Sequence, residues 1–237
     1  MAILECPYIK NNISLDTLSY CCYNGHIHCV KYLIEKMSDG KNDKNVLGWV
    51  GELCDELGVM SLDDYEYPIK TESVTWKDCA LQWSAERCQL ELVKYLISLG
   101  LTLEDVRKWD NYALRMCMHG ILHREDANHL EIIKYLTSPN LTPEGGLTLK
   151  DVRQTDNYIL HWSIEEGYLE TTKYLMGLGL NLKDVMSDNG YAISIAINCE
   201  HFESVKYLMD LGLTFEDMKD AWDIGSDDIE EFRKWLK

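Results

Sequence analysis

The sequence predicts an all-α solenoid of stacked helical hairpins joined by short helical-turn connectors, and three observations predict it. The tripeptide Lys-Tyr-Leu recurs at Lys31, Lys94, Lys134, Lys173 and Lys206 with apolar residues in the same places around it. Lys173 and Lys206 are 33 residues apart, Lys94 and Lys134 are 40 apart, and Lys134 and Lys173 are 39 apart, so a period of 33 with insertions accounts for all of them. A connector of one form, Thr, Ser or Asn followed three residues later by an acid, returns between copies.

With 237 residues and 46% hydrophobic content the chain can bury a sizeable core, and a repeat architecture makes residues 1–237 a single domain. Within it the expected parts are an N-terminal cap (1–14), hairpins (15–36, 79–99, 111–138, 157–178 and 190–211), an inserted helix (45–57) and a C-terminal cap (214–237). Terminal units of a stack are usually atypical, and Ile3, Leu4, Tyr8, Ile9 and Ile13 give the first cap an apolar side. The inserted helix follows from Val46, Leu47, Trp49, Val50, Leu53, Cys54 and Leu57, which repeat at helical spacing. Shorter insertions are expected near 66–73, 121–127 and 141–146.

Inside each hairpin the second helix carries apolar residues at steps of three and four, as in Leu90, Val93 and Leu96, or Phe202, Val205 and Leu208. The first helix begins at Leu18, Leu81, Leu114, Leu160 or Ile193, and three residues on the position is always small: Cys21, Ser84, Cys117, Ser163 and Ala196. Close packing of one hairpin on the next requires that. The turn between the helices holds Gly25, Cys88, Asn128, Gly167 and Glu200, where Gly and Asn suit a left-handed backbone and Cys and Glu would be strained. The connectors Thr102 to Asp105, Thr148 to Asp151, Asn181 to Asp184 and Thr214 to Asp217, with Ser61 to Asp64 as a further copy, read as capping boxes that open a helical turn. Asp110, Asp156 and Asp188 then lie near the N-cap of the helix that follows.

A period of 33 is that of the ankyrin repeat. The runs Asp110-Asn111-Tyr112-Ala113-Leu114, Asp156-Asn157-Tyr158-Ile159-Leu160 and Leu130-Glu131-Ile132-Ile133-Lys134-Tyr135-Leu136, with Leu101-Thr102-Leu103-Glu104-Asp105-Val106-Arg107, resemble the ankyrin-repeat proteins of giant DNA viruses that infect amoebae, the mimivirus-like kind. The resemblance covers about residues 15 to 220. Ordinary ankyrin repeats carry Thr-Pro-Leu-His where Tyr-Ala-Leu or Tyr-Ile-Leu stands here. It implies a viral, non-enzymatic scaffold that binds a host or viral protein, located in the host cytoplasm or in the virion; the rival reading is a structural or assembly component of the virion. An adaptor for ubiquitin ligases would need an F-box helix set, and neither end carries a convincing one.

A net charge of −17 repels nucleic acid and anionic lipid, so the expected partner is a protein, with no nucleic acid and no membrane, and the chain is expected to be a monomer. No signal peptide and no apolar run long enough to span a bilayer is read, and the nine cysteines without paired spacing are expected as free thiols. No cofactor is expected. Zinc is the most tempting alternative, at Cys21, Cys22, His26, His28 and Cys29, but two of these cysteines are adjacent where other copies carry small or apolar residues. No phosphate loop, nucleophile elbow or zinc-protease pattern is found, and His161 and Arg115 share a repeat position with Ser194 and Gln82, which reads as a varied surface position rather than a catalytic one.

Binding is expected at the connector tips and the exposed side of the first helices. The tip candidates are Trp76, Lys108, Trp109, Gln154, Thr155 and Asp188. The helix candidates are Glu86, Arg87, His119, Glu165 and Glu166. Trp76 and Trp109 occupy the same place in adjacent copies and either anchor a partner or cover grooves within the chain, whereas Trp83 and Trp162 read as packing residues.

Overall fold

The computed structural model describes residues 21–22, 24–38, 76–119, 129–154, 156–219 and 226–237, with the side chains of 35–38, 76–79, 119, 219 and 226–227 outside the description. The N-terminal cap (1–14), the start of the first hairpin (15–20), the inserted helix (45–57), the Ser61 connector, the insertions at 66–73 and 121–127, Asn128 and Thr155 all lie outside these residues. By its internal contacts the chain divides into two compact units, Met1–Gly146 and Leu147–Lys237.

The first unit contains α1 (Ile27–Ser38), α2 (Trp76–Glu86), α3 (Leu90–Ser98), α4 (Leu103–His119) and α5 (His129–Leu136). The second contains α6 (Leu149–Arg153), α7 (Tyr158–Glu165), α8 (Leu169–Gly177), α9 (Leu182–Val185, continued by a 3₁₀ turn to Asp188), α10 (Tyr191–Asn198), α11 (Phe202–Asp210), α12 (Phe215–Lys219) and α13 (Ser226–Trp235). The fold is an all-α repeat solenoid with no strand among the described residues; Thr142 and Gly145 form only an isolated bridge. In the first unit α2 packs on α3 and on α4, and α3 on α5; in the second, α7 packs on α8 and α10, and α8 on α11. First helices therefore stack on first helices and second on second, which is how helices too short to persist alone gain their stability.

The leucine of every Lys-Tyr-Leu is buried: Leu33, Leu96, Leu136, Leu175 and Leu208. Its tyrosine is half-buried in each copy; the lysines at 94, 134, 173 and 206 each reach an acid on their own helix, as Lys94 does to Glu91 at 2.7 Å and Lys206 to Asp210 at 3.1 Å, whereas Lys31 lies over the Tyr95 ring, 4.8 Å from its centroid. Such exposed pairs add little stability. The small residues Cys21, Ser84, Cys117, Ser163 and Ala196 are fully buried at the stacking interfaces. Ser84 and Ser163 turn their hydroxyls onto carbonyls of their own helices, Ala80 at 2.6 Å and Leu160 at 2.8 Å, so burial leaves neither donor unmet.

Their carbonyls also close the hairpin turns. The amides of His26, Gln89, Tyr168 and His201 donate to the carbonyls of Cys21, Ser84, Ser163 and Ala196 at 2.7 to 2.8 Å, and the residue before each donor is left-handed: Gly25, Cys88, Gly167 and Glu200. This is the Schellman ending, which satisfies the last carbonyls of a helix. At Gly167 the glycine has a further reason, since a Cβ there would stand 2.6 Å from the His201 ring. Cys88 (φ 53°) and Glu200 (φ 61°) adopt the same turn against their side-chain preference.

Each connector among the described residues carries its capping box. The Asp151 carboxylate accepts from the Thr148 amide and hydroxyl, both at 2.7 Å; Asp184 accepts from the Asn181 amide at 2.9 Å; Asp217 accepts from the Thr214 amide at 2.8 Å and its hydroxyl at 2.6 Å. In the first unit Asp105 serves Thr102 in the same way. There the connector turn and the next first helix run together as α4, broken by an extended Lys108 and left-handed Trp109, Asp110 and Asn111. At the C-terminal end, Phe232 of α13 is fully buried, with ring centroids 5.2 Å from Phe202 and 6.1 Å from Phe215.

Candidate functional site

Among the described residues, the junction from connector to first helix positions the tip residues. Asp156 (φ 51°) and Asn157 (φ 58°) are left-handed before α7, and Asn189 (φ 58°) and Gly190 (φ 76°) before α10. The Asp188 carboxylate accepts the amides of Gly190 and Ala192, both at 2.9 Å, and so caps α10. At the equivalent place in the first unit Arg115 does the holding, donating to the carbonyls of Asp110 at 3.1 Å and Trp109 at 3.2 Å.

In the second unit these junctions and α7 enclose a groove of about 560 Å³. Tyr158, His161, Trp162 and Glu165 line it from one face of α7, at helical steps of three, four and seven. Ser187, Asp188 and Tyr191 line it from the 3₁₀ turn and α10, and Arg153, Asp156 and Asn157 from the α6 side. The rings of Tyr158 and Trp162 are stacked, with centroids 5.7 Å apart and planes 30° apart. Tyr191 is 47% exposed. Arg153 is engaged with Asp184, its Nε and one terminal nitrogen lying 2.9 and 2.8 Å from the two carboxylate oxygens. That fork holds the Asp184 carboxyl below its usual range and the guanidinium above. Burial, then the charges of Asp188 and Glu166, push the Glu165 carboxyl up, while His161 opposes the shift.

His161 corrects the sequence reading: it is only 9% exposed, and Gln82 and Ser194 at the same repeat position are buried too. The reason lies in the next connector, because Nε2 of His161 is 2.9 Å from the Asp184 carbonyl. Ser187 Oγ is 3.3 Å from the same nitrogen, and Asp188 Oδ2 is 3.6 Å from Nδ1, an order that mimics a nucleophilic triad. A carbonyl can only accept, so Nε2 carries the proton and does not take one from Ser187, which itself donates to the Asp184 carbonyl at 2.8 Å. The network braces the connector against α7.

Of the sequence candidates, Glu165 and Asp188 come together in this groove, while Gln154 is exposed outside its lining and Glu166 is half-buried next to Glu165. In the first unit Trp76 begins α2 and His119 ends α4. Glu86 and Arg87 are half-buried at the end of α2, and burial raises the Glu86 carboxyl to about 7. Lys108 pairs with Asp105 at 3.0 Å, and half-buried Trp109 meets Tyr112 edge-on at 6.5 Å. Sequence reasoning missed Tyr158, Tyr191 and Trp162 as surface-lining aromatics, although Tyr112, Tyr158 and Tyr191 fall at one repeat position and that recurrence was available as a signal.

Among the described residues no three His, Cys, Asp or Glu side chains converge on a point that would hold a metal ion. Cys21, Cys22 and Cys29 are buried while His26 and His28 are exposed, so the five potential ligands do not meet. Among the described residues no helix is long and apolar enough to cross a membrane. Residues 126–219 match the family described as ankyrin repeats (3 copies). Ankyrin repeats are detected over that stretch. Modules of ankyrin repeats are generally protein-interaction surfaces without enzymatic activity. No curated protein matches the chain.

Proposed function

We propose that the chain is a non-enzymatic scaffold, a viral adaptor that binds one host or viral protein through its connector tips and the exposed face of its first helices. The observation that carries this reading is the groove of the second unit, where ankyrin repeats present stacked aromatic rings and carboxylates from tip and first helix together. Aromatic side chains of this kind concentrate binding energy at interfaces. The viral setting and a place in the host cytoplasm rest on the motif resemblance alone. Monomeric behaviour is part of the same proposal.

Affinity purification of the tagged chain from infected cells tests it. A stoichiometric protein partner, released when the groove is altered, supports the adaptor; recovery of the chain only within purified particles, with no soluble partner, replaces it with a structural role in the virion.

A further inference from the structure

We propose that the groove of the second unit receives an arginine side chain from a basic peptide segment of the partner, an inference that rests on the interaction-scaffold reading above. The lining combines flat aromatic surface with negative charge. Tyr158 and Trp162 stack on one wall, Tyr191 stands on the other, and Asp156, Glu165 and Asp188 carry the charge. The cation at the rim, Arg153, is already held by both oxygens of Asp184, and the remaining basic group, His161, is turned onto a backbone carbonyl. Among the described residues no lysine lines the groove.

Arginine fits this better than lysine. A guanidinium is planar, lies on an aromatic face and gives a carboxylate two parallel hydrogen bonds, and it sheds water more readily than a compact ammonium. Glu165 is the carboxylate such a fork would meet, four residues along α7 from His161 and three from Trp162. Its partial burial beside Asp188 makes an incoming cation more favourable there than at an exposed acid. The net charge of −17 adds long-range attraction for a basic segment, which raises encounter rate without choosing between arginine and lysine. Selectivity must come from the groove.

The test is fluorescence polarisation of a fluorescein-labelled peptide, Gly-Ser-Arg repeated, titrated with the full chain, beside matched peptides carrying lysine or citrulline in place of arginine. The arginine peptide should bind, the citrulline peptide should not, and the lysine peptide should bind at least about fivefold more weakly. Glu165→Gln and, separately, Tyr191→Ala should each weaken arginine binding by about tenfold, the size of one good charge-assisted or cation–π contact. Unchanged urea midpoints keep a folding defect out of the comparison. Equal binding of arginine and lysine peptides, untouched by either substitution, would mean diffuse attraction to an acidic surface and overturn the inference. If no arginine peptide binds, yet a purified partner binds wild type and the Glu165→Gln/Tyr191→Ala chain alike, the groove inference falls and the scaffold reading stands. A chain that binds no arginine peptide and recovers no partner fails both.

Discussion

Glu86 closes α2, and burial raises its carboxyl from 4.5 to about 7. The unfolded chain ionises this group first, so its contribution to stability is present below about 4.5 and is lost as the pH climbs to about 7. Glu86→Gln should therefore raise the urea midpoint at pH 8 and leave it nearly unchanged at pH 4, read from parallel denaturation curves. The capping aspartates work the other way. Arg153 holds Asp184 below 3.8, and the Thr214 hydroxyl and amide hold Asp217 there, so their stabilisation is intact above 3.8 and disappears as pH falls through the lowered values. Asp184→Asn and Thr214→Ala should flatten the acid limb of the stability profile. His161 shows why single residues resist sequence reading: its role depends on a carbonyl 23 residues further on, and nothing in its own neighbourhood of sequence announces that.

At the scale of elements, the connector turns were legible because a capping box is local. Thr148 and Asp151 are three residues apart, and the pattern that identifies them is also the hydrogen bonding that forms the turn. Thr148→Ala should cost about 1 kcal/mol, measured by chemical unfolding. The buried leucines were equally legible, since a step of three or four fixes a helical face. Leu136→Ala and Leu208→Ala should each cost about 2–5 kcal/mol, because both side chains are fully buried and leave a cavity. The left-handed run Trp109-Asp110-Asn111 was not legible. Asp and Asn tolerate positive φ, but a tryptophan at φ 54° is held there by bonds from Arg115 to the local carbonyls, and its own side chain gives no sign of it. The aromatic groove went unread for a related reason: Trp162 follows the packing pattern of Trp83, and only the stacking on Tyr158 reveals its second face.

For the whole molecule, charge is the dominant property that no single hairpin expresses. A net −17 repels itself in the compact state. Raising sodium chloride from about 10 mM to about 150 mM shortens the screening length from about 30 Å to about 8 Å. The unfolding midpoint should rise over that range, and binding of any basic peptide should weaken, two opposite responses to one titration.

The capping boxes and Schellman turns have a kinetic consequence. Each bond that defines a connector or a hairpin closes within a few residues of its partner, and stacking joins neighbours in sequence. Locality of this sort favours fast formation of each hairpin, because little loop entropy is lost before contacts form. Nucleation can begin at any adjoining pair of hairpins and spread in either direction. A chain growing from the ribosome could accordingly order its early repeats while the later ones are still being made.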